Sequence, residues 1–275
     1  MTDETVDSHK MPLLDHLIEL RSRLLKSVVA LFVAFLICFF FAEYIYAFLT
    51  EPLAAILRER RDDPRMIFTA LTEVFFTYVK VAFFAGAFLS CPIFLTQLWL
   101  FVAPGLYKRE QKALAPFLAA TPILFFTGGA LVYYVIFPLA ANFLVGFEVP
   151  GGEGALAIQL EAKVDEYLSL IMKLIFAFGL CFQLPVLMTL LARVGLATSA
   201  GMAAKRKYAV VGVFIVAAVL TPPDPISQIS LALPILLLYE ISIYMAKLVE
   251  RKRAREEAEE EEQREPGTEV TPTGG

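Results

Sequence analysis

The sequence predicts an all-α membrane protein that crosses the bilayer about six times. Apolar residues make up 58% of the 275-residue chain, and 24 residues are Phe. Ordinary soluble domains contain about 45–50% apolar residues. The apolar residues are gathered into long runs, and about 20 of them in a helix cross a bilayer core of roughly 30 Å. This composition excludes an ordinary soluble domain.

Six apolar runs define the predicted spans. They cover residues 24–42, 81–103, 113–139, 168–194, 209–220 and 229–245. The last two are short, and residues 220–228 between them are rich in turn-forming residues, so they are predicted to form a short hairpin. Four runs contain an internal proline that removes a backbone donor and favours a kink. These prolines are Pro92, Pro122, Pro185 and Pro234.

The distribution of Lys and Arg predicts that both termini are cytoplasmic. The loops on the side of the N-terminus carry 17 of these residues, and the loops on the other side carry 5. Cytoplasmic loops of membrane proteins carry the excess of positive charge. Lys80, at the edge of a span, and Lys173, within one, account for the remaining two.

Residues 1–250 are predicted to form one membrane domain, followed by a charged, disordered cytoplasmic tail over 251–275. Residues 256–269 contain eight acids and one base, and such blocks are typical of solvated chain ends. The chain has two His, and its three Cys lie inside apolar runs without metal-ligand spacing. These features argue against a zinc or haem site, and no cofactor is expected.

Two glutamates flank the first and third predicted spans. Glu19 lies four residues before Arg23, a spacing that favours a local ion pair in a helix. Glu110 lies in a short basic loop, where it could neutralise Lys108, Arg109 or Arg206. If both glutamates face the cytoplasm, they form an acidic pair suited to a ligand with two adjacent positive charges.

Gln183 is the most polar residue deep in the fourth predicted span. Polar groups at that depth face protein or water and hydrogen-bond across helices. The residue therefore suits either an interhelical bond or a contact with an inserted peptide. Lys173 and Glu240 lie nearer the ends of their spans, where their side chains can extend to the interface.

Several motifs, in this order, resemble TatC, the large membrane subunit of the twin-arginine protein translocase. The resemblance covers nearly the whole chain outside the tail. The motifs are HLIELRSRLLKS (residues 16–27), LWLFVAPGLYKRE (98–110), FPLA (137–140), FGLCFQLPV (178–186) and LTPPDPISQ (220–228).

The resemblance implies a receptor and scaffold for export of folded proteins, with no catalytic residues. Glu19 and Glu110 would bind the paired arginines of a signal peptide from the cytoplasmic side. Arg21, Leu24 and Phe101 match family positions on the same surface, where Phe101 would pack against the apolar part of the peptide. Arg forms a bidentate fork with carboxylates that Lys cannot reproduce.

Other positions match the family elsewhere. Pro52 matches a position in the external loop that caps the concave face, and Asp224 and Gln228 match a turn and helix near the partner-binding surface. The family often carries Glu at the position of Gln183, and Gln cannot ionise. The implied partners are the single-span proteins TatA and TatB, with a homo-oligomeric assembly in the bacterial inner membrane and the proton gradient as energy source.

Two alternative functions compete with this hypothesis. A secondary transporter or channel for a small solute predicts repeated halves and an ionic site at the bilayer midplane. The chain instead offers one uncharged polar residue at depth, Gln183, and two short spans. An intramembrane enzyme requires paired catalytic groups at matched depth, and the sequence contains no such pair. Nothing in the sequence indicates nucleic-acid binding.

Overall fold

The computed structural model describes residues 13–60, 65–102, 115–149, 156, 158–193, 195–220 and 225–264. Every regular element in these ranges is helical, apart from two isolated β-bridges. The elements are α1 (Leu13–Phe40), α2 (Ala42–Arg60), α3 (Glu73–Val102), α4 (Ala115–Leu131), a π-helical segment (Val132–Ile136), α5 (Phe137–Val145), α6 (Val164–Cys181), α7 (Leu184–Arg193), α8 (Ser199–Ala204), α9 (Arg206–Leu220) and α10 (Pro225–Arg264).

Five helical stretches among the described residues are long and apolar enough to cross a membrane. They are Leu17–Phe40, Glu73–Phe101, Leu118–Val145, Val164–Arg193 and Pro225–Arg255. The predicted all-α membrane fold is thus confirmed. The predicted span 209–220 lies in α9, which has 15 residues and is therefore about 22 Å long. That length is below the thickness of the bilayer core, and the count of six spans stays a prediction.

The last helix is much longer than predicted. The sequence placed a short span at residues 229–245, whereas α10 contains 40 residues. The predicted limits followed the apolar run, which ends before Lys247 and contains Glu240 and Ser242. The Ser242 hydroxyl donates to the Leu238 carbonyl of its own helix at 2.7 Å, and Glu240 pairs with Arg206 of α9. These polar groups are satisfied without ending the helix.

The predicted disordered tail is partly helical. Residues 251–264 continue α10, whereas their charge predicted that they belong to the disordered tail. Ala, Glu, Lys and Arg are good helix formers, and Arg255 pairs with Glu259 one turn later at 2.8 Å. A highly charged segment can therefore extend a helix that is already nucleated in the membrane. Residues 265–275 lie outside the described residues.

Proline changes the helices in two ways. Pro92, Pro122 and Pro234 lie inside continuous helices. Pro185 instead follows a break at residues 182–183, which separates α6 from α7. The Pro185 nitrogen carries no N–H, so the turn before it cannot complete its helical hydrogen bonds.

Glycine allows two pairs of helices to approach closely. A Cβ on Gly86 of α3 would lie 2.7 Å from the backbone N and Cα of Phe35 in α1. A Cβ on Gly128 of α4 would lie 2.6 Å from the carbonyl oxygen of Phe178 in α6. Small residues at such positions let membrane helices pack backbone against backbone.

The helices define two ends of the molecule. At one end, here named the α2 end, the segments around Ile67 and Lys163 form a β-bridge, and α2 packs against α5 and α6. At the other, the α8 end, Trp99 of α3 packs against Val186 and Leu190 of α7. The main hydrophobic core runs from the α2 end into the membrane-spanning region.

Candidate functional site

Glu19 forms the predicted local ion pair. Its Oε1 atom accepts hydrogen bonds from Nε of Arg23, at 2.9 Å, and from Nη2 of the same guanidinium. Both side chains are about one-fifth exposed. The pair therefore sits in a partly buried environment, where one carboxylate oxygen of Glu19 is fully engaged.

The second oxygen of Glu19 is different. Oε2 is buried and has no hydrogen-bond partner among the described residues. A buried acceptor without a donor costs free energy, more so when the group is charged. A donor from a ligand would remove this cost, so Glu19 is suited to accept a second guanidinium beside Arg23.

The pairing of α1 with α3 sets the neighbours of Glu19. The two helices run antiparallel, with Phe35 against Gly86. Nearer the α8 end, a cavity of about 220 Å³ lies between Leu24 of α1 and Phe94 of α3. At about 1.5 Å per residue on each helix, this register brings Glu19 level with the last turn of α3, which contains Phe101.

Four of the five residues predicted to bind a signal peptide are described, and they lie at the same end. Arg21 is exposed, Leu24 is 54% exposed and Phe101 is half-buried. Glu110, the second predicted carboxylate, lies outside the described residues. The distance between the two glutamates therefore stays untested, and so does the predicted diarginine site.

Pro52 has a definable structural role at the α2 end. Because its nitrogen has no hydrogen, the carbonyl of Phe48 one turn earlier loses its helical donor. The buried hydroxyl of Tyr133 donates to that carbonyl at 2.7 Å, and Tyr167 donates to the adjacent carbonyl of Leu49 at 2.7 Å. The ring of Tyr133 also stacks on Phe48, with centroids 4.4 Å apart.

Sequence reasoning missed Tyr133 and Tyr167. Both are 8% exposed, and a buried tyrosine hydroxyl usually has a hydrogen-bond partner. Tyr133 inside the third apolar run and Tyr167 directly before the fourth were therefore usable signals for polar contacts within the membrane protein. Their partners lie 85 and 118 residues away in the chain, and no local pattern identifies them.

Gln183 makes the interhelical bond that was one of its two predicted roles. Its Nε2 donates to the carbonyl of Thr121 in α4 at 3.0 Å, and the side chain is buried. Its Oε1 is buried and has no partner among the described residues. Since Gln183 occupies the break before Pro185, this bond fixes the α6–α7 turn against α4.

Gln228 joins the last two helices. Its Nε2 donates to the carbonyl of Phe214 in α9 at 3.2 Å, so the start of α10 is tied to the middle of α9. Asp224, the other residue predicted near this turn, lies outside the described residues.

The fold defines a polytopic α-helical membrane protein with polar groups buried at specific interhelical contacts. The family model described as Sec-independent protein translocase protein (TatC) matches residues 15–234. The chain belongs to this family and is a component of the Sec-independent protein translocase.

Individual relatives agree with the family match. A TatC of Magnetococcus marinus is 52% identical over 254 residues, which cover 92% of this chain and 90% of the relative. TatC of Escherichia coli K12 is 39% identical over 90% of this chain and 92% of its own length. A crystal structure described as the twin arginine translocase receptor TatC aligns with a TM-score of 0.73 and 36% identity, covering 85% of this chain and 99% of its own.

Proposed function

We propose that this chain is the signal-peptide receptor and scaffold of a twin-arginine translocase. In this proposal it lies in the bacterial cytoplasmic membrane with both termini in the cytoplasm. The single observation that carries the proposal is the buried Oε2 atom of Glu19, which lacks a donor among the described residues. The name of the related solved structure, a twin arginine translocase receptor, supports the same role.

The two arginines of the signal peptide bind one glutamate each. Arg23 occupies Oε1 of Glu19, so an incoming guanidinium would donate to Oε2 in a charge-assisted bond. Glu110 receives the second arginine. A Lys pair supplies the same charge without the planar fork, and we expect it to bind more weakly.

Apolar and basic neighbours complete the proposed site. Leu24 is largely exposed on α1, and Phe101 is at the level of Glu19 on α3, so both are available to the apolar part of the peptide. Arg21 is exposed on the turn that carries Glu19. It would help set the local potential against unrelated basic ligands.

The remaining elements of the proposal concern partners and energy. TatA- and TatB-type single-span proteins would bind near Asp224 and Gln228, and several copies of the chain would assemble. The bond between Gln228 and α9 gives this region a defined shape. The chain is proposed to be non-enzymatic, with translocation driven by the proton gradient.

Cross-linking to signal peptides tests the proposal. Replacing Glu19 and Glu110 with Ala is expected to abolish cross-linking of a twin-arginine peptide while the protein stays in the membrane. The matched control replaces Glu43 and Glu59, two exposed acids of α2, and should cross-link normally. A Lys-Lys peptide should cross-link poorly to the wild-type protein. Full cross-linking by the Glu19 and Glu110 variant would refute the proposed site.

A further inference from the structure

A stripe of basic residues extends along α10 beyond the start of α9. Glu240, Lys247 and Arg251 follow one another at spacings of seven and four residues, so they share one side of the helix. Both oxygens of Glu240 bind Arg206, the first residue of α9, at 2.8 Å. Glu240 thus faces the start of α9, where Lys205 and Lys207 flank Arg206, and Lys247 and Arg251 continue the same side of α10 beyond that start.

Positive charge is in large excess in the two segments that meet here. Residues 198–208 and 239–255 contain eight bases and two acids. Glu240 forms an ion pair with Arg206. Glu250 accepts hydrogen bonds from the backbone N–H and the hydroxyl of Ser199. Among the described residues, no acid lies within ion-pair distance of Lys247 or Arg251, and both are exposed.

Two exposed tyrosines indicate where this basic surface meets the bilayer. Tyr208 is 67% exposed and Tyr244 is 64% exposed, and they lie two and four residues from the Arg206–Glu240 pair. Tyrosine is enriched at the headgroup level of membranes. Lys247 and Arg251 are three and seven residues beyond Tyr244, or about 5 and 10 Å along the helix.

The position of Lys247 matches the polar layer of a bilayer, and Arg251 starts about 3–5 Å beyond that layer, within the reach of a long arginine side chain. The headgroup regions together add about 10–15 Å to the hydrocarbon core, or roughly 5–7 Å on each side. Apolar side chains continue toward the core on both helices, with Val211 58% exposed on α9 and Leu237 63% exposed on α10. A ligand here would meet cations at one end and hydrocarbon-like surface at the other, which is the chemistry of a lipid.

We propose that Lys205, Lys207, Lys247 and Arg251 bind the phosphate of an anionic membrane lipid whose acyl chains lie along α9 and α10. Charge complementarity selects a phosphate-bearing anionic headgroup. The adjoining tyrosines and exposed apolar residues favour a lipid over free phosphate. Because α9 is short, a lipid bound to its first turn and to α10 stabilises its position in the bilayer.

Titration of the full-length protein in a mild zwitterionic detergent with fluorescent phosphatidylglycerol tests this site. The wild-type protein should bind phosphatidylglycerol more tightly than phosphatidylcholine. Replacing Lys247 and Arg251 with Ala should weaken phosphatidylglycerol binding about 30-fold, from roughly fivefold for each basic residue near the surface. Exchanging them as Lys247→Arg and Arg251→Lys retains both charges and should preserve most of the affinity.

The matched control removes two positive charges from the α2 end. Arg58→Ala with Arg65→Ala should leave phosphatidylglycerol binding within about twofold of wild type, since both residues lie away from the α8 end. Equal affinity for phosphatidylglycerol and phosphatidylcholine would overturn the proposal. So would an equal loss of binding in the control variant, or displacement of the lipid by inorganic phosphate at matched concentration. An unchanged melting temperature of the lipid-free variants shows that any loss is not misfolding.

Discussion

Individual hydroxyls in this protein satisfy backbone groups that proline exposes. Tyr133 donates to Phe48, whose carbonyl has lost its helical donor to Pro52. An acceptor buried without a donor costs about 1–3 kcal/mol. The Tyr133 hydroxyl therefore stabilises the fold by donating the hydrogen bond that Pro52 cannot supply.

Tyr133→Phe should lower the free energy of unfolding by about 1–2 kcal/mol, because the ring stack on Phe48 survives while the carbonyl loses its donor. The midpoint of a dodecyl sulfate titration in mixed micelles measures this change. Tyr134→Phe is the neighbouring control, since Tyr134 is 69% exposed, and it should leave the midpoint unchanged. Equal midpoints for the two variants would argue against the role of the hydroxyl.

Residue contacts differ in how far the sequence reveals them. The Glu19–Arg23 pair was predictable because four residues in a helix place two side chains together. The bond from Tyr133 to Phe48 was not, because it depends on how α2 folds back across the π-helical segment. Glu240 was interpreted as a residue near a span end, and its partner, Arg206, lies on another helix.

At the scale of elements, helix contacts depend on the absence of side chains. Gly86 allows α1 to lie against α3 so closely that no Cβ fits without a backbone shift. The sequence contains 15 glycines, and nothing local distinguishes Gly86 from a glycine on a lipid-facing surface. A glycine at a helix contact can be told from a lipid-facing glycine only once the packing of the helices is known.

Gly86→Ala should destabilise the protein by about 1–3 kcal/mol, because the new Cβ meets backbone atoms that cannot rotate away. Gly212→Ala in α9 provides the matched control. A Cβ there has no heavy atom within 4 Å, so this variant should be neutral or slightly stabilising. Thermal unfolding in detergent compares the two, and a stable Gly86→Ala protein would contradict the close α1–α3 contact.

Helix limits were harder to predict than helix existence. The apolar runs located all five membrane-length stretches, because a bilayer demands a length that few other segments reach. The true end of α10 was missed because its last turns are stabilised by charged residues rather than by burial. A hydropathy pattern does not detect helical turns that are made of charged residues.

At the scale of the whole molecule, the two ends carry different kinds of side chains. The α2 end carries the tyrosine-bound cap, and the α8 end carries Glu19 and the basic stripe. The excess of Lys and Arg predicts that the α8 end faces the cytoplasm. This orientation also puts Glu19 where a signal peptide would first meet the membrane.

Reporter fusions test the orientation. A fluorescent protein that folds only in the cytoplasm, fused after residue 275, should be bright. Alkaline phosphatase, which is active only outside the cytoplasm, should be active when inserted near residue 150 and inactive after residue 275. The opposite pattern would reverse the topology and remove the argument that Glu19 meets cytoplasmic ligands.

Because α10 is long, a tilt of its membrane-spanning part displaces the part of the helix that lies outside the bilayer. Its 40 residues span about 60 Å, roughly twice the hydrocarbon core. If a rigid helix of this length tilts by about 10° about one end, its other end moves by about 10 Å. Glu250 and Arg253, in the outer half of α10, bind Ser199 and the Arg193 carbonyl. We therefore expect a change in bilayer thickness that tilts α10 to move the α7–α8 loop as well.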